Sequence, residues 1–138
     1  MDKYTQQVIK HYADLIEIND WETFYIRLKS VYNNSNIGQI TEILLEAGID
    51  PLKDLDYIPE NYLAGSDLGS FTIPEHIKII EEYAFNECQK LKIIYFPNSL
   101  EIVKFRAFRN CHSLEDIYIL MELINNFPIL FLKSVGVL

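Results

Sequence analysis

FTIPEHIKIIEEYAFNECQKLKIIYF (residues 71–96) and IYFPNSLEIVKFRAFRNCHSLEDIYI (residues 94–119) are one pattern written twice, 23 residues apart. Pro74 recurs as Pro97, Ile79 as Ile102 and Ile80 as Val103. The pair Ala84-Phe85 recurs as Ala107-Phe108, Cys88 as Cys111, Leu91 as Leu114 and Ile94 as Ile117. A fixed period of this size marks stacked supersecondary units, none of which buries its apolar face alone. The pattern says much about architecture and little about chemistry.

Within one copy the spacing is Leu91-x-x-Ile94-x-Phe96-Pro97, then Leu100-x-Ile102-Val103, Ala107-Phe108 and Asn110-Cys111-x-x-Leu114. Two short alternating apolar runs predict strands, because alternation turns one face of an extended chain inward. Pro97 ends the first run, where no further backbone donor is needed. A short strand with a return segment in a 20–29 residue period is the logic of a leucine-rich repeat. More closely, the copies resemble the BspA-type leucine-rich repeat, whose units read as a proline after a strand, an apolar pair, Ala-Phe, Asn-Cys and Leu. The resemblance covers Phe71–Ile119, about a third of the chain.

A degenerate half-unit precedes these copies. The same 23-residue shift sets Tyr62 on Phe85, Gly65 on Cys88, Leu68 on Leu91, Phe71 on Ile94 and Ile73 on Phe96. The repeat is therefore expected to begin near Ile58, as terminal copies are commonly atypical. Stacking in register also makes a charge prediction: Lys78 faces Glu101, Glu81 faces Lys104 and Lys92 faces Glu115. Tyr83 falls beside Arg106, which allows a cation–π contact. Exposed pairs contribute only about 0.2–1 kcal/mol each, so they bear on register and not on stability.

The first 47 residues read as helices. Tyr4, Val8, Tyr12, Leu15 and Ile16 follow helical spacing; Asp20 caps a second helix with Trp21, Phe24, Leu28, Val31 and Tyr32 on one stripe. A third, over 37–47, carries Ile40, Ile43, Leu44 and Ala47, with Gly48 as its C′ residue. Asp50-Pro51 is expected to open a short further turn of helix. The fold class expected is α+β: a three-helix N-terminal cap (1–57), a short repeat solenoid of about two and a half units (58–119) and an apolar C-terminal segment (120–138), forming one compact unit. A small helical head followed by such repeats is similar to short phage-encoded leucine-rich repeat proteins, a likeness that implies no established activity.

Of the 138 residues, 49% are hydrophobic, which excludes a disordered chain. The formal charge of −8 is uneven: residues 1–70 hold 12 acidic and five basic side chains, residues 71–138 eight and seven. An acidic head argues against a nucleic-acid partner, which calls for clustered Lys and Arg. No apolar leader follows Met1-Asp2-Lys3-Tyr4. BspA-type proteins are often displayed at the cell surface; the departure here sets a cytoplasmic location as the expectation.

Cys88 and Cys111 occupy equivalent positions about 4.8 Å apart, near enough for a disulfide, but ladder side chains run parallel and suit bridging poorly. Buried free thiols are the expectation, and the pair forms no CxxC metal motif. His11, His76 and His112 lack HxxxH spacing, no nucleophile elbow frames a Ser, and the turn around Gly65, Asp67 and Gly69 is not a phosphate loop. No catalytic residue, cofactor site or metal site is expected. Trp21, Phe24 and Tyr25 read as core or as an exposed anchor.

The candidate site is the outward strand slot. Thr72, Tyr95 and Tyr118 repeat there, flanked by Ser70, Ile93 and Asp116. An outward aromatic ladder serves protein contact, and Tyr pairs also stabilise sheets without binding anything. Beyond Ile119 the pattern fails: Leu120 stands where proline is expected and Asn125 where an apolar residue is. The run Phe127–Leu132 is far short of the ~18 residues of a membrane span; the segment reads as a cap, an oligomerisation surface or a remnant of a longer array. The function expected is a non-enzymatic module binding another protein, in the manner of a phage accessory protein engaging a host factor. Two alternatives remain: an acidic charge mimic acting through Asp54, Asp56 and Glu60, and a self-assembling homo-oligomer built through 120–138.

Overall fold

Alternation along each short strand decides which side chains meet the core, and the repeat then stacks like on like. The computed structural model describes residues 37–49 and 52–119, together with Lys3, Gln6, Gln7 and Ile26. A helix, α1 (Ile37–Glu46), precedes six strands: β1 (Tyr57–Ile58), β2 (Ser70–Thr72), β3 (Ile79–Ile80), β4 (Ile93–Phe96), β5 (Ile102–Val103) and β6 (Asp116–Ile119). They form two parallel three-stranded sheets, ordered β1-β3-β5 and β2-β4-β6. Consecutive strands in sequence thus lie in different sheets, and each coil contributes one strand to each. The four lone positions are helical and exposed; the first two expected helices and the segment 120–138 otherwise lie outside the described residues.

The expected register holds between the two full copies. Ile79 pairs with Ile102, Ile94 with Ile117 and Tyr95 with Tyr118. The core is built from the same shift: Ile73, Ile77, Ile80, Ala84, Phe85 and Leu91 are buried, as are Phe96, Leu100, Val103, Ala107 and Phe108 one coil later. Phe85 and Phe108 stack with ring centroids 4.7 Å apart and planes 6° from parallel.

The degenerate half-unit departs from the expectation. Tyr57 pairs with Ile79, 22 residues on, whereas Ser70 pairs with Ile93, 23 residues on. The Leu63 N–H bonds to the Ala84 carbonyl at 2.9 Å, as Phe85 bonds to Ala107 at 2.8 Å in the next coil. Leu63, not Tyr62, therefore lies in the slot of Phe85, and Ser66, not Gly65, in that of Cys88. Leu68, Phe71 and Ile73 keep the expected partners. The cause is a deletion between the sheets: Ser66-Asp67-Leu68 does the work of Cys88-Gln89-Lys90-Leu91.

Each coil turns through two left-handed residues. Asn61, Tyr83 and Arg106 occupy one slot, at φ 61°, 63° and 62°. Gly65, Glu87 and Asn110 occupy the other, at 73°, 61° and 60°. For a residue with a Cβ this conformation costs about 1–2 kcal/mol, which the packed coil on either side must offset.

Charge contacts follow the register in part. Lys104 Nζ meets Glu81 Oε2 at 2.7 Å. At Lys78/Glu101 and Lys92/Glu115 the coils join through backbone instead, Glu101 N–H to Lys78 carbonyl at 2.8 Å and Glu115 N–H to Lys92 carbonyl at 2.9 Å. The ion pairs among the described residues include Glu81–Lys104 and Asp67–Lys90. Arg106 lies beside Tyr83, but donates to its hydroxyl at 3.0 Å. Its cation–π contact is with Phe105, 4.7 Å from the ring centre.

Helix α1 closes the first coil. Ile37, Ile40, Thr41 and Leu44 form its buried stripe; Ile43 is half-buried and joins the core edge. Its second residue, Gly38, donates from N–H to the Ala64 carbonyl at 2.7 Å. That carbonyl is the equivalent of Asn86 and Arg109, which accept from Gly65 and Glu87 of the preceding coil. The helix N-terminus thus substitutes for a missing coil, using an amide that has no partner within the helix. Glu42 ties the same edge: it accepts from Ser66 Oγ and, at 2.7 Å, from the Asp67 N–H. At the other end Gly48, φ 81°, makes the C′ residue expected, with Gly48 N–H to Leu45 carbonyl at 3.0 Å and Ile49 N–H to Leu44 carbonyl at 2.9 Å. Residues 52–54 form a turn rather than the short helix expected, closed by Leu55 N–H to Leu52 carbonyl; Asp50 and Pro51 lie outside the described residues.

Candidate functional site

Alternation in β4 sends Ile94 and Phe96 into the core and leaves Ile93 and Tyr95 on the other side. Parallel pairing without slippage then places Ser70 beside Ile93 and Thr72 beside Tyr95. It places Asp116 beside Ile93 and Tyr118 beside Tyr95 from the opposite edge. All of the candidate residues, Thr72, Ile93, Tyr95, Asp116 and Tyr118, come together on one sheet face. The tyrosines are 41% and 52% exposed, large values for side chains of their size. Their rings stack 5.2 Å apart with planes 17° from parallel. A half-buried Ile93 and an exposed Asp116 lie beside the stacked rings.

The acidic residues of the first coil, Asp54, Asp56 and Glu60, are exposed around β1. His76 is exposed with Nε2 2.9 Å from the Leu52 carbonyl, and His112 is exposed. Among the described residues no three His, Cys, Asp or Glu side chains converge to hold a metal ion, and no helix is long and apolar enough to cross a membrane.

Cys88 and Cys111 are free thiols. Each donates inward to a carbonyl of the preceding coil: Cys88 Sγ to Leu63 at 3.0 Å, Cys111 Sγ to Phe85 at 3.1 Å. These bonds join neighbouring coils from inside, the side-chain counterpart of the backbone ladder. The single Cys88 S–H can turn from the Leu63 carbonyl to the Cys111 sulfur when Cys111 ionises; that hydrogen bond and burial push the Cys88 thiol well above the ordinary thiol range, and the same bond draws Cys111 below it. The thiolate is the reactive form. At pH 8, modification by a disulfide reagent is therefore expected to label Cys111 first, with Cys88 protected until unfolding. Labelling of a Cys111→Ser variant at the wild-type rate would show the assignment reversed.

Sequence reasoning missed two features. Ile102 and Phe105 are 43% and 49% exposed although the repeat pattern reads the first of them as one of an apolar pair. The second is the reach of Arg109 Nη1 to Asn86 Oδ1 at 3.5 Å, one coil back, next to the Arg106–Tyr83 neighbours that the register did bring together. The 23-residue shift carries both pairings in plain view; the signal was the recurrence of polar partners at the positions between the apolar ones.

The family model described as "BspA type Leucine rich repeat region (6 copies)" matches residues 56–133. Among curated proteins no relative matches. A solved structure of a leucine-rich cell surface protein from Faecalibacterium prausnitzii A2-165 is 36% identical over 47% of this chain, with a TM-score of 0.46. The match spans 17% of that protein's length.

Proposed function

The chain belongs to the BspA-type leucine-rich repeat family, and from that premise we propose that it is a non-enzymatic protein-interaction module. Its contact face is the outward side of β2, β4 and β6. The observation that carries this reading is the exposed Tyr95–Tyr118 stack on the outward ladder. Tyrosine brings a large apolar body and a hydrogen-bonding tip to an interface and loses little rotamer freedom there. A face whose backbone is already held by neighbouring strands lowers the ordering cost of binding. Thr72, Ile93 and Asp116 supply a polar and an apolar rim around it.

The test is quantitative affinity enrichment from host-cell lysate with wild type and a Tyr95→Ala/Tyr118→Ala variant, matched by circular dichroism. A protein retained by wild type and lost by the variant is the expected result. Identical enrichment profiles for the two proteins would remove the tyrosine face from consideration. The acidic surface of Asp54, Asp56 and Glu60 carries a second reading, a charge mimic of nucleic acid. That reading predicts that the enriched protein elutes between 50 and 200 mM salt, about the range over which several phosphate-like contacts are lost. Elution independent of salt would eliminate it.

A further inference from the structure

Away from the strand ladder, the turns between the two sheets form a groove lined by Glu60, Asn61, Tyr83, Asn86, Arg106 and Arg109. Arg106 and Arg109 are the arginines of the described residues, and both enter this groove from one turn. Both are exposed, and each contacts the preceding coil. Arg106 is held by the Tyr83 hydroxyl at 3.0 Å and lies over the Phe105 ring; Arg109 is held by Asn86. Each contact uses one nitrogen, and a guanidinium carries five N–H donors in a fixed fork. Donors therefore remain, already oriented.

A second observation bears on the same groove. Tyr83 and Arg106 sit at φ 63° and 62°. The turn itself asks only for a residue that tolerates left-handed backbone, which glycine does without strain and Asn61 with little. The tyrosine and the arginine there are joined across coils by the 3.0 Å bond between their side chains. Beside them Phe105 is 49% exposed, so the cationic pair borders apolar surface.

We propose that this turn face binds an acidic protein segment that carries an apolar side chain next to its carboxylates. Arg106 and Arg109 would take the carboxylates in forked, charge-assisted hydrogen bonds, and the open edge of Phe105 would take the apolar side chain. A polyphosphate backbone fits less well. Glu60 stands in the groove itself, and the chain as a whole is formally −8; repulsion on approach grows with the charge of the ligand, so a nucleic acid, charged at every unit, meets more of it than a peptide with carboxylates at alternate positions.

The test uses the full chain and a fluorescein-labelled dodecapeptide, Glu-Phe-Glu-Leu repeated three times, followed by fluorescence anisotropy. Controls are the same peptide with Lys for Glu and a single-stranded DNA dodecamer. The acidic peptide should bind, weaken as salt is raised, and lose about tenfold or more in affinity with R106Q/R109Q, as expected for losing charged hydrogen bonds. F105A should also weaken it, and Tyr95→Ala/Tyr118→Ala should leave it unchanged. Absence of binding, equal binding by the Lys peptide, or indifference to R106Q/R109Q overturns the proposal. Tighter binding of the DNA than of the acidic peptide overturns it in favour of a nucleic-acid ligand. Loss with the tyrosine variant alone would transfer the peptide to the strand face.

Discussion

Gly38→Ala is expected to destabilise the protein by about 3 kcal/mol, from overpacking plus one lost hydrogen bond. A Cβ at this position would overlap the backbone carbon and oxygen of Leu63 and the Ala64 oxygen. Backbone atoms are not free to rotate aside, so the helix must lift from the first coil. Lifting it breaks the Gly38–Ala64 bond and moves Ile37, Ile40 and Leu44, each at most 1% exposed, away from their contacts. Gly48→Ala is the internal comparison. Its Cβ meets nothing within 4 Å, so only the φ of 81° opposes it. The expected loss there is about 1 kcal/mol. Urea unfolding followed by circular dichroism measures both. Equal losses at the two positions would mean that α1 is not tightly seated on the coil.

Phe85→Ala is expected to cost about 4 kcal/mol, within the range for truncating a buried aromatic. Phe85 is fully buried, stacked on Phe108 and tilted against Phe71 at 5.7 Å. It therefore touches the second sheet and the following coil at once, and its removal opens a cavity that stiff coils on both sides resist filling. A loss of this size is comparable with the whole stability of a small domain, about 5–15 kcal/mol. The exposed stack makes the contrast: Tyr118→Ala should cost about 1 kcal/mol, the usual worth of a cross-strand aromatic pair. If thermal unfolding found the two variants equally destabilised, the Phe85–Phe108 column would not be the centre of the core. Phe85→Leu, which keeps most of the volume, should recover much of the loss.

Much of this was open to reading in advance because the repeat supplies its own control. A residue and its counterpart 23 positions on must satisfy the same environment. Isoleucine at 94 and 117, alanine at 84 and 107, and phenylalanine at 85 and 108 therefore identify inward slots without any knowledge of the backbone. The outward slot of Tyr95 and Tyr118 follows from the same alternation, and so do their neighbours Thr72, Ile93 and Asp116. The half-unit was less legible. A single-residue deletion around Asp67 leaves Leu68 onward in register and displaces everything before it. Tyr62 is aromatic like Phe85, so composition alone favoured the wrong alignment.

The period, the parallel stacking of like on like, the C′ glycine of the helix and the set of side chains on the outward ladder are all legible along the chain. These depend on local alternation and on repetition, both of which are written along the chain. That Gly38 is a contact rather than a weak helix residue emerges from the packing of the helix on the first coil. Its need for a bare Cα comes from Leu63 and Ala64, far along the chain. The same holds for the direction of the two thiols toward carbonyls of the preceding coil, and for the joining of Arg106, Arg109, Tyr83 and Glu60 in one groove. Each depends on where a turn places a side chain in space, and a left-handed φ at Tyr83 or Arg106 is set by the coil that surrounds it, not by the preference of the residue itself.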